Sequence, residues 1–257
     1  MIDPVTVGFP KRLPGPGRRA PGLCQEQMDE LLMRTPGTYN RFENGQLPNP
    51  HRNFLAAIAK ILGLSEPEWT FLWQLTRKEA PPRPLHSTAG TSVAGVWQRV
   101  VEQIGGALAY VSDAEFDVIA HNEEFRSFFP RGQGPANMMR WLLLDPEART
   151  EVLIDWEALW APAIMPNLKQ AVELRPDNPA LVRLEQDVLA DPVAGPLYRG
   201  CASVPVPHFD GSELPARHAV YGPGRLATCL AEPVTAPGAR INVSFFVPAG
   251  ALGFPSC

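Results

Sequence analysis

Cysteine is scarce and scattered in this chain of 257 residues: Cys24, Cys201, Cys229 and Cys257 stand singly, without a C-x-x-C pair. Neither a disulfide framework nor a thiolate zinc site is therefore expected, and a reducing compartment fits. Lysine is equally scarce, with only Lys11, Lys60, Lys78 and Lys169, so no basic stripe argues nucleic-acid binding by itself. No apolar run approaches the length needed to span a bilayer, and MIDPVTVGFP has no basic region followed by an apolar segment. The chain is expected to be neither exported nor anchored, hence cytoplasmic, with no membrane partner. Also missing are G-x-S-x-G, H-E-x-x-H and a phosphate-cradling glycine loop, so no cofactor is expected. No metal is expected either, because His208 and His218 lie too far apart for a ligand pair. These absences leave open an enzyme needing only a shaped pocket with one acid or base.

Proline is abundant, at 29 residues, roughly twice the usual share. It is concentrated where helices cannot run. Residues 1–22 carry Pro10, Pro14, Pro16 and Pro21 among Arg12, Arg18 and Arg19, which reads as an arm. Charge is uneven as well: residues 1–85 hold eleven Lys/Arg against eight Asp/Glu, residues 86–257 twelve against nineteen. A mildly basic head precedes an acidic body.

Apolar periodicity predicts short helices in the head. Met28, Leu31 and Leu32 recur at helical spacing from Gln25, Thr35 before Pro36 reads as an N-cap, and Tyr39 with Phe42 forms a second stripe ending at Gly45. His51 to Leu62 aligns Phe54, Leu55, Ile58 and Ile61, and Ser65 caps a helix carrying Trp69, Leu72, Trp73 and Leu75. A proline-rich linker over 77–92 leads to a helix at Val93 to Ile104. ALAYVS and FDVIAH around Asp113 to Glu115 then read as a β-hairpin, and Asn122 starts a helix through Phe125 and Phe128. A helix-rich stretch over 137–199 follows, with a helix start at Asp145-Pro146-Glu147 and a bend or break at Pro162 and Pro166. Segments 217–221, 225–232 and 240–247 read as strands.

Residues 22–45, GLCQEQMDELLMRTPGTYNRFENG, resemble without a gap the helix-turn-helix of the phage-repressor-like (Xre) family, G-L-S-Q-E-x-L-A-x-x-x-G-V-S-x-x-x-I-S-x-I-E-x-G. The resemblance implies DNA as a partner, contacted through Gln25, Thr35, Thr38, Asn40, Arg41 and Asn44, with Gln25 and the backbone around Asn44 on phosphates. The chain departs from the pattern at several positions. Cys24 replaces the Ser cap, Asp29 stands where the family packs Ala, and Met33 occupies the turn glycine. Pro36 and Gly37 offer bases no side-chain hydrogen bond, and the arm takes the place of the family's first helix.

From Trp97 to Pro248 the chain resembles an MmyB-like, PAS-related ligand-binding domain, most clearly in YVSDAEFDVIAHNEEFRSFF and NMMRWLLLDPEARTEVLIDWE. The implied fold class is α+β: a small all-α helix-turn-helix domain over 23–76, then a PAS-like α/β ligand-binding domain over 93–248, with a tail at 249–257. The implied ligand is long, apolar and fatty-acid-like. Tyr110, Phe125, Met138, Trp141, Trp156 and Trp160 are candidate walls, and His121 and Arg140 candidate head-group contacts. The function expected is a homodimeric, ligand-responsive transcription regulator. The alternative is a pocket protein or biosynthetic enzyme acting on a polyketide-like or acyl substrate through His121, Arg140, Asp155 or Tyr198, with DNA binding lost.

Overall fold

The computed structural model describes residues 2–9, 22–201 and 213–250. Residues 10–21 of the expected arm, with Arg12, Arg18 and Arg19, lie outside the described residues, as do His208 and residues 251–257 of the expected tail. The chain forms two compact units, 1–85 and 86–257. No described helix is long and apolar enough to cross a membrane.

In the first unit, α1 (Gln25–Leu31), α2 (Thr38–Glu43), α3 (Arg52–Leu62) and α4 (Glu66–Arg77) close around two small cores. The amphipathic face of α3 serves both: Phe54 and Ile58 meet Met28 and Leu32, while Leu55 and Ala59 meet Trp69 and Trp73. Phe42 sits edge-on to Phe54 at 5.4 Å, and Trp69 to Trp73 at 5.0 Å. Ser65 caps α4, with Glu68 accepting the Ser65 N–H at 2.8 Å. The proline-rich segment after α4 folds back onto it: Leu85 is buried beside Trp69, whose Nε1–H donates to the Arg83 carbonyl at 3.1 Å.

The start of α2 differs from expectation. Thr35 is not its N-cap; the helix begins at Thr38 with Gly37 as cap, in the left-handed region at φ 88°. The cap comes from another helix. Asp29 of α1, 2% exposed, accepts the Gly37 N–H at 2.6 Å and the Tyr39 N–H at 2.7 Å. A carboxylate where the family packs Ala thus satisfies two orphan donors of the second helix and faces its positive end. Cys24, in the usual Ser place, forms a capping box with Gln27: its side chain meets the Gln27 N–H, and its own N–H donates to the Gln27 side chain at 3.0 Å.

The second unit is built on one antiparallel sheet in the order β2-β1-β5-β4-β3, from β1 (Leu108–Ser112), β2 (Val118–His121), β3 (Glu213–His218), β4 (Gly222–Ala231) and β5 (Arg240–Pro248). The expected α+β body is what the chain forms. α5 (Val96–Glu102) covers one face of β1, β2 and β5 through Val101, Ala109, Val111, Ala120 and Ile241. On the other face lie α6 (Glu123–Phe128), α7 (Met138–Leu144), α8 (Ala161–Leu174), α9 (Pro179–Ala190) and α10 (Ala194–Gly200), which share the main core.

Asn122 joins these layers. Its Oδ1 accepts the N–H groups of Phe125 and Ala109, capping α6 and holding the start of β1, while Nδ2 donates to the carbonyls of Ile104 and Ala107 at 2.8 and 2.7 Å. All four hydrogen-bonding positions of this buried amide, two lone pairs and two N–H groups, are therefore used.

Three expectations are corrected in detail. β3 lies earlier than the predicted 217–221, and Val220 and Tyr221 occupy its turn into β4. Pro215 argues against a strand in sequence, but β3 is a sheet edge, where no N–H is needed; the Pro215 carbonyl accepts the Ile154 N–H and Trp160 Nε1–H. Asp145 ends α7 and starts the next helix where expected, at Pro146, but that helix widens to a π-helical turn over Ala148–Val152. Finally, α8 begins at Ala161 with Pro162 in its first turn and continues through Pro166.

The two departures in the helix-turn-helix have opposite expected consequences. Asp29→Ala should lower the stability of the first unit by about 1–2 kcal/mol through the lost caps. Met33 stands at φ 53° and 92% exposed, so Met33→Gly should raise it by up to about 1 kcal/mol. Urea denaturation of the full chain reads both, and a null effect of Asp29→Ala would contradict the cap.

Candidate functional site

The first candidate surface is the outward side of α1 and α2. Gln25 bridges the two helices, its Nε2 donating to Glu43 and its Oε1 accepting from Asn40, each at 2.6 Å. Asn44 donates to the carbonyl and side-chain oxygen of Asn40. Gln25, Asn40 and Asn44 are thus brought into one polar patch, with Arg41 exposed on the same short helix. Thr38 is turned back, its hydroxyl 2.7 Å from the Thr35 carbonyl.

The second candidate lies between the sheet and the helices of the larger unit, a cavity of about 140 Å³. Its apolar walls come from Phe116, Phe125, Phe128, Phe129, Trp141 and Trp160, with Leu108, Met138 and Ile164 among the rest. The rings interlock edge to face: Phe125 with Phe129 at 4.9 Å, and Phe129 with Trp141 at 5.0 Å. Phe116 is held in the left-handed region at φ 69°, in the β1–β2 turn, a conformation a bulky residue adopts only when its surroundings demand it.

The floor is polar. Tyr110 and Ser112 on β1 stand opposite Asn242 and Arg240 on β5, forming a two-by-two block, and all four line the cavity. Ser244 and Thr228 continue the row, satisfying each other at 2.9 Å. Among the described residues, the Tyr110 hydroxyl, the Ser112 hydroxyl and the Asn242 amide have no hydrogen-bond partner, and Asn242 is only 5% exposed. Arg240 lies 4.5 Å over the Phe116 ring and donates to the Gly238 carbonyl at 3.1 Å, with no carboxylate in ion-pair contact among the described residues. Burial pulls its pKa down, opposed chiefly by the more distant Glu232. Burial likewise pushes the Tyr110 hydroxyl up, so it stays a neutral donor.

Five sequence-nominated wall residues, Tyr110, Phe125, Met138, Trp141 and Trp160, line this cavity. His121, Arg140 and Trp156 do not. His121 stacks on the outer side of Phe125 at 5.3 Å with Nδ1 near the Asn122 carbonyl. Arg140 is paired with Asp187, both side chains about half exposed. Trp156 donates to the Leu142 carbonyl and carries Arg149 over its ring at 4.7 Å. Nor do the alternative catalytic residues converge: Asp155 joins two π-helical turns at φ 55°, and Tyr198 donates to Glu185 at 2.8 Å. His218 is buried against Phe128 and Phe246, with Nδ1 accepting the Val220 N–H.

Arg240, Asn242 and Ser244 escaped the sequence reading because alternation along RINVSFFVP assigns Ile241, Val243 and Phe245 to the interior. The overlooked signal is strand position: a central strand is buried on both faces, so its polar alternates face a site.

The carboxylates of Asp113, Glu115 and Asp117 gather in the β1–β2 turn. Their oxygens serve the fold: Asp113 accepts the N–H groups of Glu115 and Asp117, Asp117 accepts from Asn137, and Glu115 from Asn178. Burial, reinforced by the neighbouring carboxylates and opposed by those two N–H groups, pushes the Asp113 carboxyl up to about 6.

A helical head with one polar patch and an α+β body enclosing an aromatic cavity define a two-unit sensor. Residues 93–249 match the MmyB-like transcription regulator ligand binding domain, and residues 17–70 match a helix-turn-helix domain. No curated protein sequence is significantly similar to the chain. The first match spans more than half the chain, which therefore belongs to the MmyB-like family of ligand-binding transcription regulators. With the helix-turn-helix before it, the domain order is that of a ligand-responsive transcription regulator.

Two outcomes follow from the site. Asn242→Leu, nearly isosteric and relieving an unpaired amide, should raise the stability of the ligand-free protein by about 1 kcal/mol; a lower melting temperature would instead mark the amide as structural. Asp113 has a folded pKa above its ordinary 3.8, so its favourable contribution is complete below about pH 4 and lost as pH rises through about 6. Asp113→Asn should accordingly match the parent near pH 4 and exceed it near pH 7.5 in thermal melts, whereas a difference independent of pH would contradict the shift.

Proposed function

We propose that the chain regulates transcription from the cytoplasm by binding DNA through residues 25–45 and a small molecule with an apolar body in the aromatic cavity. In this reading Asn40 and Arg41, with Thr38, face base edges, while Gln25, Thr35 and Asn44 approach phosphates. The internal bonds among Gln25, Asn40 and Asn44 then pre-set the patch, and Glu43 beside Gln25 keeps its cation content low. A homodimer is the acting form, since one six-residue helix reads too few bases for a unique site. The length implied by the resemblance is not supported by the cavity volume, because about 140 Å³ holds a body near the size of benzene.

The observation that carries the reading is the succession, in one chain, of a helix-turn-helix and a cavity whose floor holds unpaired polar groups. The enzyme alternative has no comparable support, since none of His121, Arg140, Asp155 and Tyr198 lines the cavity.

Fluorescence anisotropy with DNA from upstream of the protein's own gene tests the DNA half. Binding should weaken steeply with salt, and Arg41→Ala should cost roughly tenfold in affinity. Absent or salt-insensitive binding would sink the reading.

A further inference from the structure

The cavity combines three features that together specify a ligand more narrowly than an apolar pocket does. The first is size: at about 140 Å³ it accepts a single ring rather than a long chain. The second is wall chemistry. Phe116, Phe125, Phe129 and Trp141 present ring edges and faces, the surroundings in which an aromatic guest gains most. The third is the floor, where a guanidinium stands beside three neutral groups with unused hydrogen-bonding capacity.

The floor is the most informative feature. Tyr110, Ser112, Arg240 and Asn242 form a block of cross-strand neighbours, whose Cβ atoms lie about 5 Å apart across strands and 7–8 Å along diagonals. Donors reaching inward from neighbouring positions of that block can converge on one carboxylate. Among the described residues Arg240 has no ion-pair partner and the Asn242 amide no hydrogen-bond partner; both are costly to bury, and both face the same cavity. Guanidinium recognises carboxylate through paired, charge-assisted hydrogen bonds, and hydroxyl and amide N–H groups donate to the remaining lone pairs.

Resting on the regulator reading above, we propose that the cavity binds a compact aromatic carboxylate, its ring among Phe116, Phe125 and Trp141 and its carboxylate held by Arg240 with Tyr110, Ser112 and Asn242. A long-chain acid would have to leave most of its tail outside the cavity, and neutral aromatics lack the charge that Arg240 requires. Arg240 and Asn242 act as specificity-determining residues for head-group charge, and the aromatic walls set ligand size.

The test is isothermal titration of the full-length protein with benzoate, phenylacetate, neutral benzamide and palmitate. Benzoate or phenylacetate should bind at least about tenfold more tightly than benzamide, consistent with a charge-assisted pair, and palmitate should bind more weakly than either short acid. Arg240→Gln should collapse the ratio of benzoate to benzamide affinity toward unity. Should that variant fail to fold, Asn242→Leu serves in its place, with benzoate affinity reduced and the protein stable. Equal affinity for benzamide, tighter binding of palmitate, or no binding of either short acid would overturn the proposal. Anisotropy on the same samples separates the two readings. Benzoate binding that leaves DNA affinity unchanged overturns ligand-responsive regulation and leaves the ligand class standing, whereas DNA binding without acid selectivity overturns only the ligand class.

Discussion

The larger unit depends on the way β5 is used. As a central strand it is covered on both faces, by α5 on one side and the helical layer on the other, and it carries Arg240, Asn242 and Ser244 on the second face. Arg240 meets the face of Phe116, but Phe and Trp side chains offer the Asn242 amide and the Ser244 hydroxyl no hydrogen-bond partner. The helical layer therefore does not close dry over the sheet, and a cavity remains where an ordinary core would fill. Its cost is tolerable because the opposite face, with Ala109, Val111, Ala120 and Ile241 against Val101, is a dense apolar contact.

The helix-turn-helix shows a related exchange at its own scale. With no glycine at position 33 the turn puts Met33 in the left-handed region, and the second helix begins at Gly37 without a capping side chain of its own. Asp29 compensates from the neighbouring helix, where its buried carboxylate ties α1 to α2. One departure from the family pattern thus fixes the start of α2 against α1. What the departures leave is a short second helix, so the DNA binding proposed above would draw on Asn40, Arg41 and phosphate contacts.

Much of this was legible from residues alone. The stripes Phe54, Leu55, Ile58 and Trp69, Trp73 located α3 and α4, because burial of one helical face leaves a 3.6-residue signature. The β-hairpin and Asn122 were readable for the same kind of local reason. Long-range facts were not. Nothing in DELLM announces that Asp29 would cap a helix eight residues on, and Pro215 conceals an edge strand, since edge position is a property of the sheet rather than of the strand. The cavity's aromatic walls were half visible as an excess of large rings. Its floor, Tyr110 apart, was invisible, because period-two alternation does not say which face of a doubly covered strand meets a core and which meets a cavity.

The most direct measurement of the account is ¹⁵N NMR of the side-chain signals of Arg240 and Asn242 during titration with phenylacetate. Large shifts at both, saturating together and accompanied by smaller changes at residues lining the cavity, are the predicted result. Unmoved Arg240 and Asn242 signals, with shifts confined to exposed residues such as Arg140, would contradict the assignment of the β5 floor as the ligand site.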